Sequence, residues 1–335
     1  MSVFSNPAPP PIRWGFLGAG FIATKALGPA VHEAHGTFLQ VVGSQSDERA
    51  AALEPLRTTE SYEAVCTADD VDVVYIALAN NDHFEWVRRA LESGKHVLCE
   101  KPLGLDSNEV ESLARIAARS GVLLVEAVWN RWHPRTQRAL ELMSVAREEP
   151  GSVRIESSFT FDGVPADNYR MQPSQGGGAL LDLGSYAVGL AVAALGTGPV
   201  DVEGVQRHRA PTGIDLTTAA TLTHRRGQAH ITTSFEQVEW QTFVFDSSDL
   251  KIRIGDEASG DRAFTCWHSK SSLLVKAEGV TTIETFPACN PYRLMVEAVS
   301  ARARGEDAWV LPMDESVRIA SVVDLIASQP ATRPN

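Results

Sequence analysis

Two stretches of the chain carry side chains whose types and placement could move a proton. The first is Val97-Leu98-Cys99-Glu100-Lys101-Pro102, an apolar run that ends in a charged pair and a proline. It reads as a buried strand: Pro102 has no N–H to continue a ladder, and the X-Pro bond before it is of the kind that can be cis, so the chain can turn sharply there. Lys101 would then stand at the carboxyl end of a strand, where open α/β sheets bind ligands. The second is the apolar helix opening on Gly176-Gly177-Gly178, in which Asp182 and Tyr186 lie four residues apart and project from one face among Leu180, Leu181, Leu183, Val188 and Leu190. An ammonium, a carboxylate and a phenol are groups that can donate or accept a proton at a substrate oxygen. Each also has a plain structural use, a solvated Glu-Lys pair in one case and an acid and a tyrosine satisfying each other within a core in the other.

The elements that must position these groups follow from the order of the chain. Ile12 to Leu17 is a short apolar run leading into Gly18-Ala19-Gly20-Phe21-Ile22-Ala23 and a helical stretch from Ala23 to about Ala34. Strand, tight turn and helix around G-x-G-x-x-A form the dinucleotide-binding fingerprint with alanine last. Gly18 would permit the turn and Gly20 would let the backbone approach a pyrophosphate, with Phe21 and Ile22 beside it and the helix N-terminus favouring the negative charge. A second strand, Phe38 to Gly43, ends at Ser44-Gln45-Ser46-Asp47, where a residue reading the ribose should lie. Small hydroxyl residues there leave room for a 2′-phosphate, so NADP(H) is favoured, although Gln45 stands where an arginine is expected and Asp47 close by keeps NAD(H) possible.

Val71 to Leu78 reads as the next strand, ending before a helix that runs to Gly94, with Asn80 and His83 placed for a cofactor contact. His96 to Glu100, a helix over Ser107 to Ser120, and Gly121 to Ala127 complete a strand-helix alternation that implies a parallel, doubly wound sheet. From Glu126 the texture changes. Glu126-Ala127-Val128-Trp129-Asn130-Arg131-Trp132-His133-Pro134 packs two tryptophans, an arginine and a histidine into one turn, and a helix over roughly 135–147 follows. Strands over Ser152 to Phe161, Val200 to His208, Leu216 to His224 and Gln228 to Gln237, with shorter runs to about Phe286, suggest a mostly antiparallel sheet. Helices over about Pro291 to Arg304 and Asp314 to Ala327 close the chain.

With 335 residues, 44% hydrophobic and 21% charged, the chain is long enough for two cores. A net charge of -12 argues against a nucleic-acid or anionic-membrane partner. The four cysteines, Cys66, Cys99, Cys266 and Cys289, show no zinc or disulfide spacing, so no metal is expected and a reducing cytoplasm fits. Residues 1–11 read as a disordered, proline-rich tail without the features of a secretory signal, and no window offers about 18 uninterrupted apolar residues for a membrane span.

Taken together, G-x-G-x-x-A, Gly94-Lys95-His96-Val97-Leu98-Cys99-Glu100-Lys101-Pro102 and Gly177-Gly178-Ala179-Leu180-Leu181-Asp182-Leu183-Gly184-Ser185-Tyr186 resemble the glucose-fructose oxidoreductase and inositol dehydrogenase family (Gfo/Idh/MocA) over nearly the whole chain. Tyr186, where many members carry histidine, resembles the branch with dimeric dihydrodiol dehydrogenase, xylose dehydrogenase and the sugar 3-ketoreductases, which commonly prefers NADP. Ala79 stands where the family usually has proline, and the stretch from Glu54 to Tyr62 is short. The resemblance implies an α/β chain, with a Rossmann domain over 12–127 and a second domain over 128–335 whose large, mostly antiparallel open sheet joins copies into a homodimer or homotetramer. It implies hydride transfer between NADP(H) and a secondary alcohol or carbonyl of a sugar, sugar nucleotide or cyclic diol. Tyr186 is then the expected proton donor or acceptor, Lys101 the ammonium that lowers its pKa, and Asp182 the group that orients it. Gly18, Gly20, Phe21, Ile22, Ser44, Gln45, Asn80, His83, Glu100 and Lys101 are expected around the cofactor, and Trp129, Arg131 and Tyr169 around the substrate. A non-catalytic NAD(P)-binding sensor on the same fold is the alternative.

Overall fold

The computed structural model describes residues 10–146, 153–256 and 259–332. Residues 1–9 of the proline-rich tail, and positions 147 and 152 at the ends of an expected helix and strand, lie outside these. In chain order the first half comprises β1 (Ile12–Leu17), α1 (Gly28–Glu33), β2 (Thr37–Gly43), α2 (Asp47–Ala51), β3 (Arg57–Thr59), α3 (Tyr62–Cys66), β4 (Val73–Ile76), α4 (Asn80–Glu92), β5 (His96–Cys99), α5 (Ser107–Ser120) and β6 (Leu124–Glu126). The second half comprises α6 (Pro134–Ala146), β7 (Val153–Thr160), α7 (Ala179–Leu195), β8 (Asp201–Arg209), β9 (Asp215–His224), β10 (Gly227–Ser234), β11 (Trp240–Asp246), β12 (Leu250–Ile254), β13 (Ser271–Ala277), β14 (Val280–Phe286), α8 (Pro291–Ala303) and α9 (Met313–Ser328).

The first six strands form one sheet in the order β3-β2-β1-β4-β5-β6, every neighbouring pair parallel. Every residue of β4 is buried, as expected of a strand covered on both faces. α5 shows how local sequence sets an element. Asp106 accepts from the Glu109 amide and Glu109 accepts from the Leu105 amide, while Gly121 stops the helix in a left-handed conformation. Two features depart from expectation. The short stretch after β2 holds α2, β3 and α3, too brief to show periodicity, and the helix after the fingerprint begins with a π-helical segment over Ala23–Leu27 before α1.

The other eight strands form the second sheet, β14-β13-β12-β11-β7-β10-β9-β8, antiparallel except where β7 and β10 pair in parallel. One face is covered by α7, which is buried along almost its whole length against β7, β9 and β10. α9 lies on α7 and also on α5 of the first half, and the Trp14 indole of β1 donates to Ser300 of α8 at 3.2 Å. The last helices thus fasten the two sheets to each other. Among the described residues no helix is long and apolar enough to cross a membrane.

Candidate active site

β2, β1, β4 and β5 lie side by side in the parallel sheet, and the residues that follow β4 and β5 bond to the glycine run and the start of α7. Gly18 leaves β1 at φ +93°, and a Cβ there would stand 2.4 Å from the carbonyl oxygen of Ala77, so only glycine lets the turn pass β4. Nothing lies within 4 Å of where a Cβ of Gly20 would be. That open approach, beside helix-opening amides that lack intrahelical partners, fits a pyrophosphate. Phe21 is 75% exposed and Ile22 half-buried next to it. At the end of β2, Ser44 is buried and its hydroxyl accepts from the Ser46 amide at 3.1 Å, while Gln45 is exposed and bonded to the Glu60 carbonyl. The exposed Arg49, whose amide is capped by the Ser46 hydroxyl, is a cation of this edge that the tetrapeptide Ser44 to Asp47 did not reveal.

α7 is positioned by a residue far along the chain. Its N-cap, Gly178, has no side chain to offer, and the carboxylate of Asp215 on β9 takes over by accepting from the Leu180 amide at 2.8 Å. Gly178 lies at φ +125°, and a Cβ there would fall 2.3 Å from an Asp215 oxygen. The glycine run precedes the helix rather than lying inside it, and Gly177 lets the Arg170 backbone approach.

Asp182 is the centre of the cluster. Lys101 donates to its Oδ1 at 2.7 Å and to its backbone carbonyl at 2.9 Å, while Arg170 donates through Nε to Oδ2 at 2.8 Å. Burial alone would raise this carboxyl, but the two cations outweigh it and hold the pKa at about 2. The Lys101–Pro102 peptide bond is cis. The Lys101 ammonium lies 5.2 Å from the centroid of the Tyr186 ring, over its face. Trp129, Phe159 and Phe264 surround that ring, and Trp129 stacks on Tyr292 at 4.8 Å.

The electrostatics correct one expectation. Burial pushes the Tyr186 phenol well above its ordinary value, and the carboxylates of Glu100 and Asp182 push it further, against a hydrogen bond from Trp129 and the Arg170 charge. The Lys101 ammonium is paired with Asp182 and meets the ring over its face, and the net direction at the phenol is upward. In the resting protein Tyr186 is a neutral phenol. Glu100, whose Oε1 accepts the Tyr75 hydroxyl at 2.8 Å, is raised by burial to about 7, with Lys101 and Tyr75 opposing. Glu126 at the end of β6 is likewise raised by burial.

Other expected residues have different work. His83 is fully buried, with Nδ1 2.7 Å from the Pro102 carbonyl and Nε2 3.2 Å from the Leu78 carbonyl, so neither ring nitrogen is left for a cofactor. Burial lowers its pKa, against the contacts to the Pro102 and Leu78 carbonyls. It clips together the loops after β4 and β5. Asn80 donates to the Gly176 carbonyl at 2.8 Å and joins α4 to the glycine run. Arg131 is buried in an ion pair with Glu315 of α9, its guanidinium over Trp309, apart from the Asp182 cluster. Tyr169 is half-buried at the edge of the site, stacked under Arg170 at 4.8 Å, and its phenol is raised by burial and by Asp182. Arg170 itself carried no signal, since it lies 12 residues before Asp182 with no periodic relation to it.

Comparison with known proteins follows the same division. Residues 12–128 match the family model described as the oxidoreductase family, NAD-binding Rossmann fold, and residues 145–253 match the GFO/IDH/MocA C-terminal domain. The chain belongs to the Gfo/Idh/MocA oxidoreductase family. This Gfo/Idh/MocA chain is 33% identical over 327 residues to D-xylose 1-dehydrogenase (NADP(+)) 2 of Haloferax volcanii, covering 94% of this chain and 96% of that one. It is 34% identical over 256 residues to the dTDP-3,4-didehydro-2,6-dideoxy-alpha-D-glucose 3-reductase of Actinomadura kijaniata, covering 74% and 76%. Among solved structures, the 3-ketoreductase KijD10 from Actinomadura kijaniata, in complex with NADP and TDP-benzene, superposes with a TM-score of 0.84 at 28% identity, over 95% of this chain and 97% of that one. The family makes this protein an NAD(P)-binding oxidoreductase, and its residues fit the cofactor: an open glycine turn, a small-residue ribose edge, and Lys101 at the end of β5.

Proposed function

We propose that this protein transfers hydride between NADP(H) and a secondary alcohol or carbonyl of a sugar, a sugar nucleotide or a cyclic diol. The observation that carries this reading is the Lys101–Asp182–Arg170 network lying against the Tyr186 ring at the carboxyl end of the parallel sheet. NADP(H) is favoured by the small hydroxyl residues Ser44 and Ser46 and by the exposed Arg49 one turn on, and similarity to a xylose dehydrogenase using NADP(+) supports the same choice. When bound, the nicotinamide supplies the hydride to a carbonyl carbon or takes it from an alcohol carbon. Tyr186 gives its phenolic proton to the carbonyl oxygen in reduction and takes one back in oxidation. The raised phenol suits the donor role at neutral pH. Lys101, held by Asp182, places an ammonium where the substrate oxygen gains negative charge. Trp129 and Tyr169 supply aromatic walls for a ring-shaped substrate.

Residues 12–127 serve as the cofactor unit and 128–335 as the substrate and assembly unit. The face of the second sheet opposite α7 joins copies into a dimer or tetramer, a role supported by the exposed Trp240 and Ile283 of β11 and β14. Four free cysteines accord with a reducing cytoplasm. The test is absorbance at 340 nm with NADP(H) and NAD(H) against aldoses, cyclic diols, keto sugars and nucleotide-linked keto sugars in both directions. Tyr186→Phe should lower turnover by about 10² to 10⁴ while NADPH affinity stays within about twofold. Full turnover in that variant removes Tyr186 from the reaction, and tight NADPH binding with no turnover of any substrate favours a sensor.

A further inference from the structure

The carboxylate of Asp182 is almost wholly enclosed, 4% exposed, yet each of its oxygens holds a separate cation. Lys101 comes from the first sheet. Arg170 comes from a one-turn helix over Tyr169–Met171, on the loop that leads into the glycine run. The backbone on which Arg170 rides is itself fixed: its amide donates to Asn168 Oδ1 at 3.0 Å and its carbonyl accepts from the Gly178 amide at 3.0 Å. A Cβ on Gly177 would stand 2.4 Å from that same carbonyl, so the loop seats against the start of α7. The guanidinium lies over the Tyr169 ring, 4.8 Å from its centroid, and the side chain is 31% exposed. Its Nε is committed to Asp182, and among the described residues its two terminal nitrogens donate to no side chain or backbone group.

We propose that Arg170 is a positioning residue of the reaction site, whose Nε clamps the Asp182 oxygen that Lys101 leaves free and whose terminal nitrogens offer donors to oxygens of the substrate beside the reacting carbon. The inference rests on the hydride-transfer reading above. A guanidinium is suited to both tasks at once, because its planar fork presents donors along two edges, which an ammonium cannot. Clamping keeps Asp182 ionised and turned toward Lys101. The ionisable groups facing Asp182 are Lys101 and Glu100 at the end of β5, Arg170 and Tyr169 on the one-turn helix, and Tyr186 on α7. Of these only Lys101 and Arg170 favour the carboxylate. With Arg170 gone, burial faces a single cation, and the Asp182 titration rises by about 1 to 3 pH units.

The experiment compares Arg170→Gln and Arg170→Lys with the parent enzyme. Arg170→Gln should bring an acid limb with a midpoint near pH 5 into the pH profile of kcat, lower kcat about tenfold at pH 4 relative to its plateau, and raise KM for the sugar substrate about tenfold, with NADPH affinity unchanged within about twofold. Arg170→Lys should restore the pH profile, because the charge returns, and leave KM raised, because the fork does not. Carbon-13 spectra of labelled aspartate carboxyls, with Asp182 assigned from Asp182→Asn, read the clamp without turnover: ionised at pH 5 in the parent, titrating near there in Arg170→Gln. An Arg170→Gln enzyme with an unmoved Asp182 titration and parental kcat and KM overturns the inference. If the parent reduces and oxidises nothing, the hydride-transfer reading falls, the substrate half of this inference falls with it, and the carboxyl titration still decides the clamp.

Discussion

Glu100 offers a stability measurement whose sign and size follow from its position. The residue directly follows β5, is 8% exposed, and accepts a hydrogen bond from the Tyr75 hydroxyl. Burial raises its carboxyl from 4.5 to about 7. A folded-state pKa above the unfolded value means that the native protein holds this proton more tightly. Below pH 4.5 both states are protonated and the group's contribution to stability is full; it is lost as pH rises from 4.5 through 7, and is constant above. Two and a half pH units correspond to about 3 kcal/mol. Glu100→Gln keeps an oxygen for Tyr75 and never ionises. Relative to the parent, it should therefore be neutral in stability near pH 4.5 and more stable by about 3 kcal/mol above pH 7.5, a gain of several degrees in Tm. Thermal melts of both proteins at half-unit intervals from pH 4.5 to 8.5 test this. A difference that does not change with pH, or a less stable variant at pH 8.5, would refute the reasoning. The same substitution removes a negative charge that raises the Tyr186 phenol, so any basic limb of the oxidation rate should move to lower pH.

Three further substitutions separate structural roles from functional ones. His83→Leu leaves the Pro102 carbonyl without its buried donor and should cost about 1 to 3 kcal/mol in a urea melt, while NADPH affinity by fluorescence titration changes less than about threefold; a large affinity loss would return His83 to the cofactor site. Arg131→Met strands Glu315 beside an apolar side chain and should cost roughly 3 kcal/mol in the same melt with substrate KM unmoved. Gly178→Ala places a Cβ on the Asp215 carboxylate at a φ that alanine resists, so it should lose about 2 kcal/mol or more, and its crystal structure should show the bond from the Leu180 amide to Asp215 lengthened or broken.

The parts of this molecule that sequence declares are those in which one short segment contains both the group and the reason for its placement. The glycine turn of β1, the strand that ends on Glu100-Lys101-Pro102, and the helix with Asp182 and Tyr186 on one face are such segments, and the fold pairs the second with the third through Lys101 and Asp182. Ionisation is not local in that sense. Glu100 and Lys101 are chain neighbours, yet burial drives one toward neutrality at pH 7 while the other bonds to Asp182, 81 residues away. Arg131 and Arg170 illustrate the same limit from opposite sides. Both are arginines beside aromatic residues in loops, and the sequence favoured Arg131. The distinction comes from partners supplied later in the chain, Glu315 of α9 for one and Asp182 of α7 for the other. A titratable group's function depends on which charge the tertiary fold brings to it, and that is why the acid with two cations, rather than the phenol with one, is the organising group of this site.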